Sequence, residues 1–222
     1  MFPELKCTKE DWDRLLYLRS RWFDLLDVTD GRDLEVAEDV FDVLCHYYSA
    51  PDRHYHSLEH IWYLLKSQET YFPDMEPAGI LAIFWHDVIY IPGCPYSEQM
   101  SADMMSTYMT GLIGKWTIME AHDIILDTKD HSAPSGELSA MVCDLDLQGL
   151  GGPPGAYDRN TEKIRKEFGR YSDEDWAGGR RLFLKERILR PHTYHTIEIE
   201  QDFEEQAKIN MTRELESYED VR

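Results

Sequence analysis

Residues 78–90, with the sequence AGILAIFWHDVIY, form a nearly continuous apolar run that carries one histidine and one aspartate. Such a run is typical of a buried strand or a buried helix, and its length favours a helix. Pro77 stands directly before it, where proline suits the first helical turn, and Pro92-Gly93 breaks the chain after it. The run therefore predicts a buried helix that brings His86 and Asp87 into an apolar environment.

Helical spacing of apolar residues continues over most of the chain, beginning after a capping-box pattern of Thr8 and Asp11. Residues 193–199, TYHTIEI, alternate instead and predict a short strand or an extended loop. The breaker GLGGPPG at 149–155 fits either a domain boundary or a loop within one helical domain. We predict an all-α fold with one domain over 1–222, in which residues 155–222 form C-terminal helices packed on the core.

The composition limits the partners of the protein. A formal net charge of −20 over 222 residues repels phosphate backbones and anionic membranes, so we expect no nucleic-acid polymer and no membrane as a partner. A small anionic substrate is compatible with this charge if its pocket carries a metal ion and local Lys or Arg residues. No apolar stretch approaches the roughly 20 residues of a membrane helix, and the N-terminal MFPELKCTKEDWDR has no apolar signal core. The sequence predicts a soluble, cytoplasmic protein and leaves a homodimer open.

Three groups of residues are candidates for chemistry. In RHYHSLEHI, His56 and His60 are four residues apart and share a face if the segment is helical, which suits a metal or a ligand beside a proton donor. In FWHDVIY, burial of His86 and Asp87 costs several kcal/mol, about 3 or more, unless the two are paired or bound to a metal. A second His-Asp pair, His122–Asp123, stands in a more polar helix and is interpreted as a decoy or as a pair that supports the metal ligands without binding the ion.

The third group is the pair Asp144 and Asp146 in the apolar segment MVCDLDLQGL. Residues two apart point to different sides of a helix, so only one of them should be a direct ligand. A set of histidines and carboxylates suits a borderline or hard divalent metal ion, namely Mn, Fe, Co, Ni, Zn or Mg.

These residues resemble the HD superfamily of metal-dependent phosphohydrolases. The matching stretches run from about Arg53 to Leu215 and are R-x-YHSLEHI, FWHDVIY, SEQMSA, ILDTKDH, CDLDLQGLG, EKIRKEF, GRRLFLKERIL and EEQAKINMTREL. The His-Asp dipeptide is unspecific, but the ordered set is specific. The resemblance implies a helical bundle around a metal site and hydrolysis of a phosphate ester, of a nucleotide or a similar small phosphorylated metabolite, by hydroxide generated on the metal.

The resemblance also implies roles for individual residues. The metal ligands are expected to be His60, His86, Asp87 and Asp144, with His56 and Asp146 as the alternatives. The expected catalytic residues are His56 as general acid, Asp87 orienting the water, and Lys129. The expected substrate contacts, each of which has a surface salt bridge or a helix C-cap as its structural alternative, are Arg53, Lys129 and His131.

Two features of the resemblance bear on function. Ser97 stands where relatives carry asparagine, which alters a bond around the site or the substrate pocket and leaves the metal ligands intact. Some HD proteins are di-iron oxygenases, for which His122 and His131 would supply further ligands. A third hypothesis is a non-catalytic protein that binds a nucleotide through a retained metal pocket.

Overall fold

The computed structural model describes residues 8–27 and 31–218, and all regular structure in these ranges is helical, as predicted. Residues 1–7 of the N-terminal segment lie outside this description. Ten α-helices follow one another, with a 3-10 turn (Gln148–Gly151) after the seventh: α1 (Lys9–Leu26), α2 (Gly31–Tyr48), α3 (Leu58–Tyr71), α4 (Pro77–Trp85), α5 (Ser97–Met109), α6 (Lys115–Asp127), α7 (Glu137–Leu147), α8 (Pro154–Glu167), α9 (Asp173–Leu189) and α10 (Ile197–Ser217).

Helix α1 begins with the predicted capping box. Asp11 N–H donates to Thr8 Oγ1 at 3.1 Å, and Thr8 N–H donates to Asp11 Oδ2 at 3.0 Å. The two side chains thus satisfy two backbone donors that a helix start leaves without partners.

Helix α4 is the buried centre of the fold, as the apolar run predicts. Its residues from Ala78 to Trp85 are buried except Ile80, and it packs against α3, α6 and α7. Buried apolar side chains from all ten helices named above join one cluster around it. Within the described ranges, no helix combines the length and the apolarity that crossing a membrane requires.

The segment after α4 differs from the prediction, because the helix ends at Trp85 and not near Tyr90. Side chains from other parts of the chain bind the backbone of residues 87–91. The guanidinium of Arg53 donates to the carbonyl oxygens of Asp87 at 2.7 Å and Val88 at 2.8 Å.

Two serines of α5 hold the remainder of this segment. Ser101 Oγ accepts from Ile89 N–H at 3.0 Å and donates to the Ile89 carbonyl oxygen at 3.1 Å. Ser97 Oγ, at the position of the asparagine expected from the resemblance, accepts from Ile91 N–H at 3.2 Å. Both hydroxyls therefore fix the chain just after His86 and Asp87.

The breaker GLGGPPG joins α7 to α8 through the 3-10 turn, and Pro154 opens α8. Gly151 lies so close to α10 that a Cβ there would come within 2.6 Å of Phe203. The missing side chain lets α10 pack directly on the turn, so the breaker is a packing point between α7 and the C-terminal helices.

Residues 193–199 form a loop and a helix start, and the strand alternative is wrong. Thr196 is the N-cap of α10, which begins at Ile197. Before it, the backbone N–H groups of Thr193 and Tyr194 donate to the carboxylate of Glu204 within α10. These hydrogen bonds to Glu204 satisfy backbone N–H groups that a neighbouring strand would otherwise satisfy.

Candidate metal centre

His86 is the C-cap of α4 and is held in one orientation. Its side chain is buried, and Nδ1 lies 3.0 Å from the carbonyl oxygen of Ile83. Because a carbonyl oxygen only accepts, Nδ1 carries a hydrogen, and Nε2 is the ring nitrogen left to face the cluster. Metal-binding histidines are commonly oriented by such a bond from the ring nitrogen that does not bind the metal.

Three further side chains converge on His86 Nε2. Asp87 Oδ2 lies 3.0 Å from it and Asp146 Oδ1, from α7, lies 3.5 Å from it. His60 from α3 completes the set, with its Nε2 2.9 Å from Asp146 Oδ1. One donor atom from each of the four residues lies within 4.8 Å of all the others.

The donor set fits a divalent metal ion. His86 Nε2 is buried and, within the described part of the chain, has no hydrogen bond of acceptable geometry although two carboxylates surround it. Leaving such a group unsatisfied costs about 1 to 3 kcal/mol. Two imidazole nitrogens and two carboxylates are ligands that borderline and hard divalent metals accept, and the two carboxylates match the charge of the ion. His60, His86, Asp87 and Asp146 can therefore hold a metal ion.

The electrostatics show that these carboxylates favour positive charge between them. Burial alone would lower the pKa of His86, but Asp87 and Asp146 outweigh it and hold that pKa well above its usual value. Burial would likewise raise the pKa of Asp146, but His86, His131 and His60 hold it well below the usual range. The cluster thus stabilises a cation, whether a proton or a metal ion.

Asp144 is not part of this cluster, which corrects the preference for Asp144 over Asp146. A helix turns about 100° per residue, so residues two apart face opposite sides of α7. The fully buried carboxylate of Asp144 accepts from His195 N–H at 2.8 Å, and from Thr196 N–H at 2.6 Å and Thr196 Oγ1 at 2.7 Å. Asp144 therefore holds the N-terminus of α10, where a helix favours negative charge.

Replacing Asp144 with asparagine is expected to destabilise the fold without removing the metal. An amide retains one acceptor oxygen for at least three donors, and an unsatisfied buried donor costs about 1 to 3 kcal/mol. Urea unfolding should show a lower free energy of unfolding by about that amount. Unchanged stability together with lost metal binding would instead return Asp144 to the ligand set.

His56 lies beside the cluster and is oriented by Glu167, the last residue of α8. His56 Nδ1 is 2.7 Å from Glu167 Oε2, and Nε2 is 4.0 Å from Asp87 Oδ2. Burial would lower the pKa of His56, but Asp87 and Glu167 raise it above the usual value. Because Nδ1 is bound to Glu167, Nε2 is the atom of His56 that faces the cluster and can carry a proton there. His56 is therefore distinct from the four residues that can hold a metal ion.

Glu167 was not predicted. Its Oε1 accepts from the backbone N–H groups of His54, Tyr55 and His56 at 2.7–2.9 Å, and its side chain is buried. Burial would raise the pKa of Glu167, but His56 and these N–H groups hold it below the usual value. One carboxylate thus fixes both the loop before α3 and the imidazole of His56.

Arg53 holds the site together and does not reach into it as a free cation. Besides the carbonyl oxygens of Asp87 and Val88, its guanidinium binds the His56 carbonyl oxygen at 3.0 Å. Its charge also lies over the ring of Tyr90, 5.5 Å from the centroid, and Tyr90 stacks on His56 at 4.0 Å. The structure therefore assigns Arg53 the positioning of both chain segments that carry site residues.

The other predicted residues separate into one that joins the site and two that lie elsewhere. His131 adopts a left-handed backbone (φ 52°), and its Nε2 lies 2.8 Å from Asp146 Oδ2. Lys129 is exposed and donates to the carbonyl oxygen of Pro95 at 2.8 Å, away from the cluster. His122 pairs with Asp103 at 3.4 Å on the surface, which supports its interpretation as a decoy.

Two cavities meet at the cluster. The first has a volume of about 480 Å³, and its lining includes His56, His131 and Asp146. The second has a volume of about 560 Å³, and its lining includes His60 and Asp146. Tyr55 and the metal-binding candidate Asp146 line both cavities, so each cavity borders the cluster.

Comparison with protein-family models, with curated proteins and with solved structures gives no match for this chain. What the site does chemically is therefore inferred from its own side chains.

Proposed function

We propose that the protein is a metal-dependent phosphohydrolase of the HD type that cleaves a phosphate ester of a nucleotide or a similar small phosphorylated metabolite. The observation that carries the proposal is the position of the four-residue donor set beside a third, separately oriented imidazole, that of His56. His60, His86, Asp87 and Asp146 supply the donor atoms, and His56 Nε2 lies 4.0 Å from one of them. This combination provides both an electrophile and a proton donor, which hydrolysis of an ester requires.

The bound ion would supply an activated water molecule and offset the negative charge of the phosphoryl group. The protein residues orient the donor atoms for the ion. His86 is held by Ile83 and presents Nε2 to the ion, and Asp146 is held by His131 through its second oxygen. Because these two ligands are each oriented by a bond to another group, they are arranged before substrate arrives.

His56 is proposed as the general acid. When the oxygen of water bonds to phosphorus, the bond from phosphorus to the ester oxygen breaks and its electron pair goes to that oxygen. The leaving oxygen takes the proton from His56 Nε2, and the products are an alcohol and inorganic phosphate. The proton that the water loses is released to solvent, from which His56 recovers one. Glu167 stabilises the protonated ring through Nδ1.

The proposal is tested by phosphate release from a panel of nucleotides and sugar phosphates. Protein stripped with a chelator is expected to be inactive and to regain activity with one or more of Mn, Fe, Co, Ni, Zn and Mg ions. If metal-loaded protein releases no phosphate from any ester of the panel, the hydrolase assignment is wrong, and binding of a nucleotide without hydrolysis would favour a non-catalytic protein.

The oxygenase alternative has less support. A di-iron site needs further ligands, and of its two candidates only His131 lies at the cluster while His122 is on the surface. Metal analysis distinguishes the two chemistries, because an oxygenase would hold two irons per chain and consume oxygen without releasing phosphate.

A further inference from the structure

The first of the two cavities has an aromatic wall. Six aromatic side chains of the Phe, Tyr and Trp type line it, and Phe168 contacts two of the others, with its ring centred 5.2 Å from Trp176 and 5.6 Å from Tyr171. The other three aromatic residues of the wall are Tyr55, Tyr157 and Phe183. Its volume of about 480 Å³ is within the range of pockets for small molecules. Such a wall suits a flat ring, because rings stack favourably on aromatic faces.

Away from His56 and the cluster, the same cavity offers no free positive charge for an anion among the residues that line it. Its one arginine, Arg180, is buried against Glu214, with Nε 2.9 Å from Oε1 and a terminal nitrogen 3.0 Å from Oε2. Asp175 adds a negative charge to the lining. A ligand portion that carries phosphates would be repelled here, whereas an uncharged portion would not.

A buried polar group of the wall is left for a ligand. Thr161 lines the cavity, and its buried Oγ1 has no hydrogen-bond partner within the described part of the chain. Buried hydroxyls normally have a partner, so a ring with a hydrogen-bonding edge fits this wall better than a pure hydrocarbon.

The two cavities differ in which histidine they contain. His56 lines the aromatic cavity and not the second one, whereas His60 lines the second and not the aromatic one. A general acid must reach the oxygen of the leaving group. The leaving alcohol therefore belongs on the aromatic side.

We infer that the aromatic cavity binds the leaving group, and that this group is an uncharged alcohol bearing a flat, polar-edged ring, such as a nucleoside. The substrate is accordingly a monophosphate ester in which the phosphoryl group lies at the metal and the ring lies against Phe168 and Trp176. This inference rests on the proposed hydrolysis and adds the substrate class and its direction of binding.

Two neighbouring glycines of α9 give a matched pair of variants. A Cβ at Gly179 or at Gly178 would meet no atom within 4 Å, and both residues are helical. Only Gly179 lines the aromatic cavity. Gly179→Leu thus fills the cavity, and Gly178→Leu adds the same side chain to the same helix outside it. Since leucine favours helix over glycine, neither variant is expected to lower the melting temperature. Trp176→Leu is a second cavity variant should Gly179→Leu not fold.

Adenosine 5′-monophosphate and ribose 5-phosphate are the test substrates, because both release a primary alcohol and only the first has a base. In Gly179→Leu the KM for the first is expected to rise about tenfold or more, the factor expected for a lost ring stack. The KM for ribose 5-phosphate should change little, and Gly178→Leu should match the wild type for both. Adenosine 5′-triphosphate should be a poorer substrate than the monophosphate.

Binding of adenosine by calorimetry, without metal, is independent of hydrolysis. Adenosine is expected to bind the wild type and Gly178→Leu and to bind Gly179→Leu at least about tenfold more weakly. Adenosine binding of this pattern in a protein that hydrolyses nothing would overturn the proposed function and leave the ring site standing. Equal effects of both variants, equal effects on both esters, or a preference for the triphosphate would overturn the inference about the cavity.

Discussion

Replacing His86 with alanine is expected to reduce metal-dependent phosphate release at least about a thousandfold, since a bound ion contributes several kcal/mol to such a reaction. His86 Nε2 is the atom on which Asp87 and Asp146 converge, and the His86 side chain is 1% exposed. Its loss removes a ligand and leaves the two carboxylates facing each other without a cation. Phosphate release and metal content of the purified variant measure the effect.

His122→Ala is the control for this prediction, because His122 belongs to the other His-Asp pair of the chain and lies on the surface. It should retain the activity and the metal content of the wild type. A His86→Ala protein with more than a tenth of the wild-type activity would remove the proposed centre.

The second large effect is expected from the proton donor. His56→Gln should lower kcat by about 10² to 10⁴, the usual contribution of a general acid, and leave metal binding unchanged. Glu167→Gln should lower kcat less and should shift the pH–rate profile. Glu167 raises the pKa of His56, so its removal lowers that pKa and the loss of activity on going to high pH begins at a lower pH.

Glu162→Gln, an exposed position on the same helix, is the control for Glu167→Gln and should leave both kcat and the profile unchanged. If His56→Gln loses its metal together with its activity, His56 is a ligand and the general acid is another group. An unshifted pH–rate profile in Glu167→Gln would mean that Glu167 only supports the loop before α3 and does not set the pKa of His56.

The parts of the fold that depend on local pattern could be predicted. The apolar run at 78–90 predicted a buried helix, and α4 is buried. Its end at Trp85 could not be predicted, because the helix stops where Arg53 binds the carbonyl oxygens of Asp87 and Val88, and this contact joins residues 34 and 35 positions apart.

The residues of the site divide in the same way, into those that the local sequence identifies and those that depend on long-range packing. The cost of burying His86 and Asp87 in apolar surroundings identified them from the sequence alone. The choice between Asp144 and Asp146 depends on which face of α7 meets the N-terminus of α10, and no local pattern carries that information. Glu167 is separated by 111 residues from His56 and belongs to a helix whose charges look like those of a solvated surface, so its buried contact emerges only from the packing of α8.

Two charged residues also depend on packing. The matching motifs predict Arg53 and Lys129 at a phosphate, yet both side chains donate to backbone carbonyl oxygens. A cationic side chain in a motif indicates that an acceptor is near, and the packing decides whether that acceptor is a ligand or the chain itself.

Asp146, and not Asp144, is the residue that we propose to complete a metal centre with His60, His86 and Asp87. The direct measurement is calorimetric titration of chelator-treated protein with Mn²⁺ for the wild type, Asp146→Asn and Asp144→Asn. We expect Asp146→Asn to bind the ion at least about a hundredfold more weakly, since a charged ligand is lost. Asp144→Asn should bind it as the wild type does. Wild-type affinity in Asp146→Asn, or weakened binding in Asp144→Asn alone, would contradict this account.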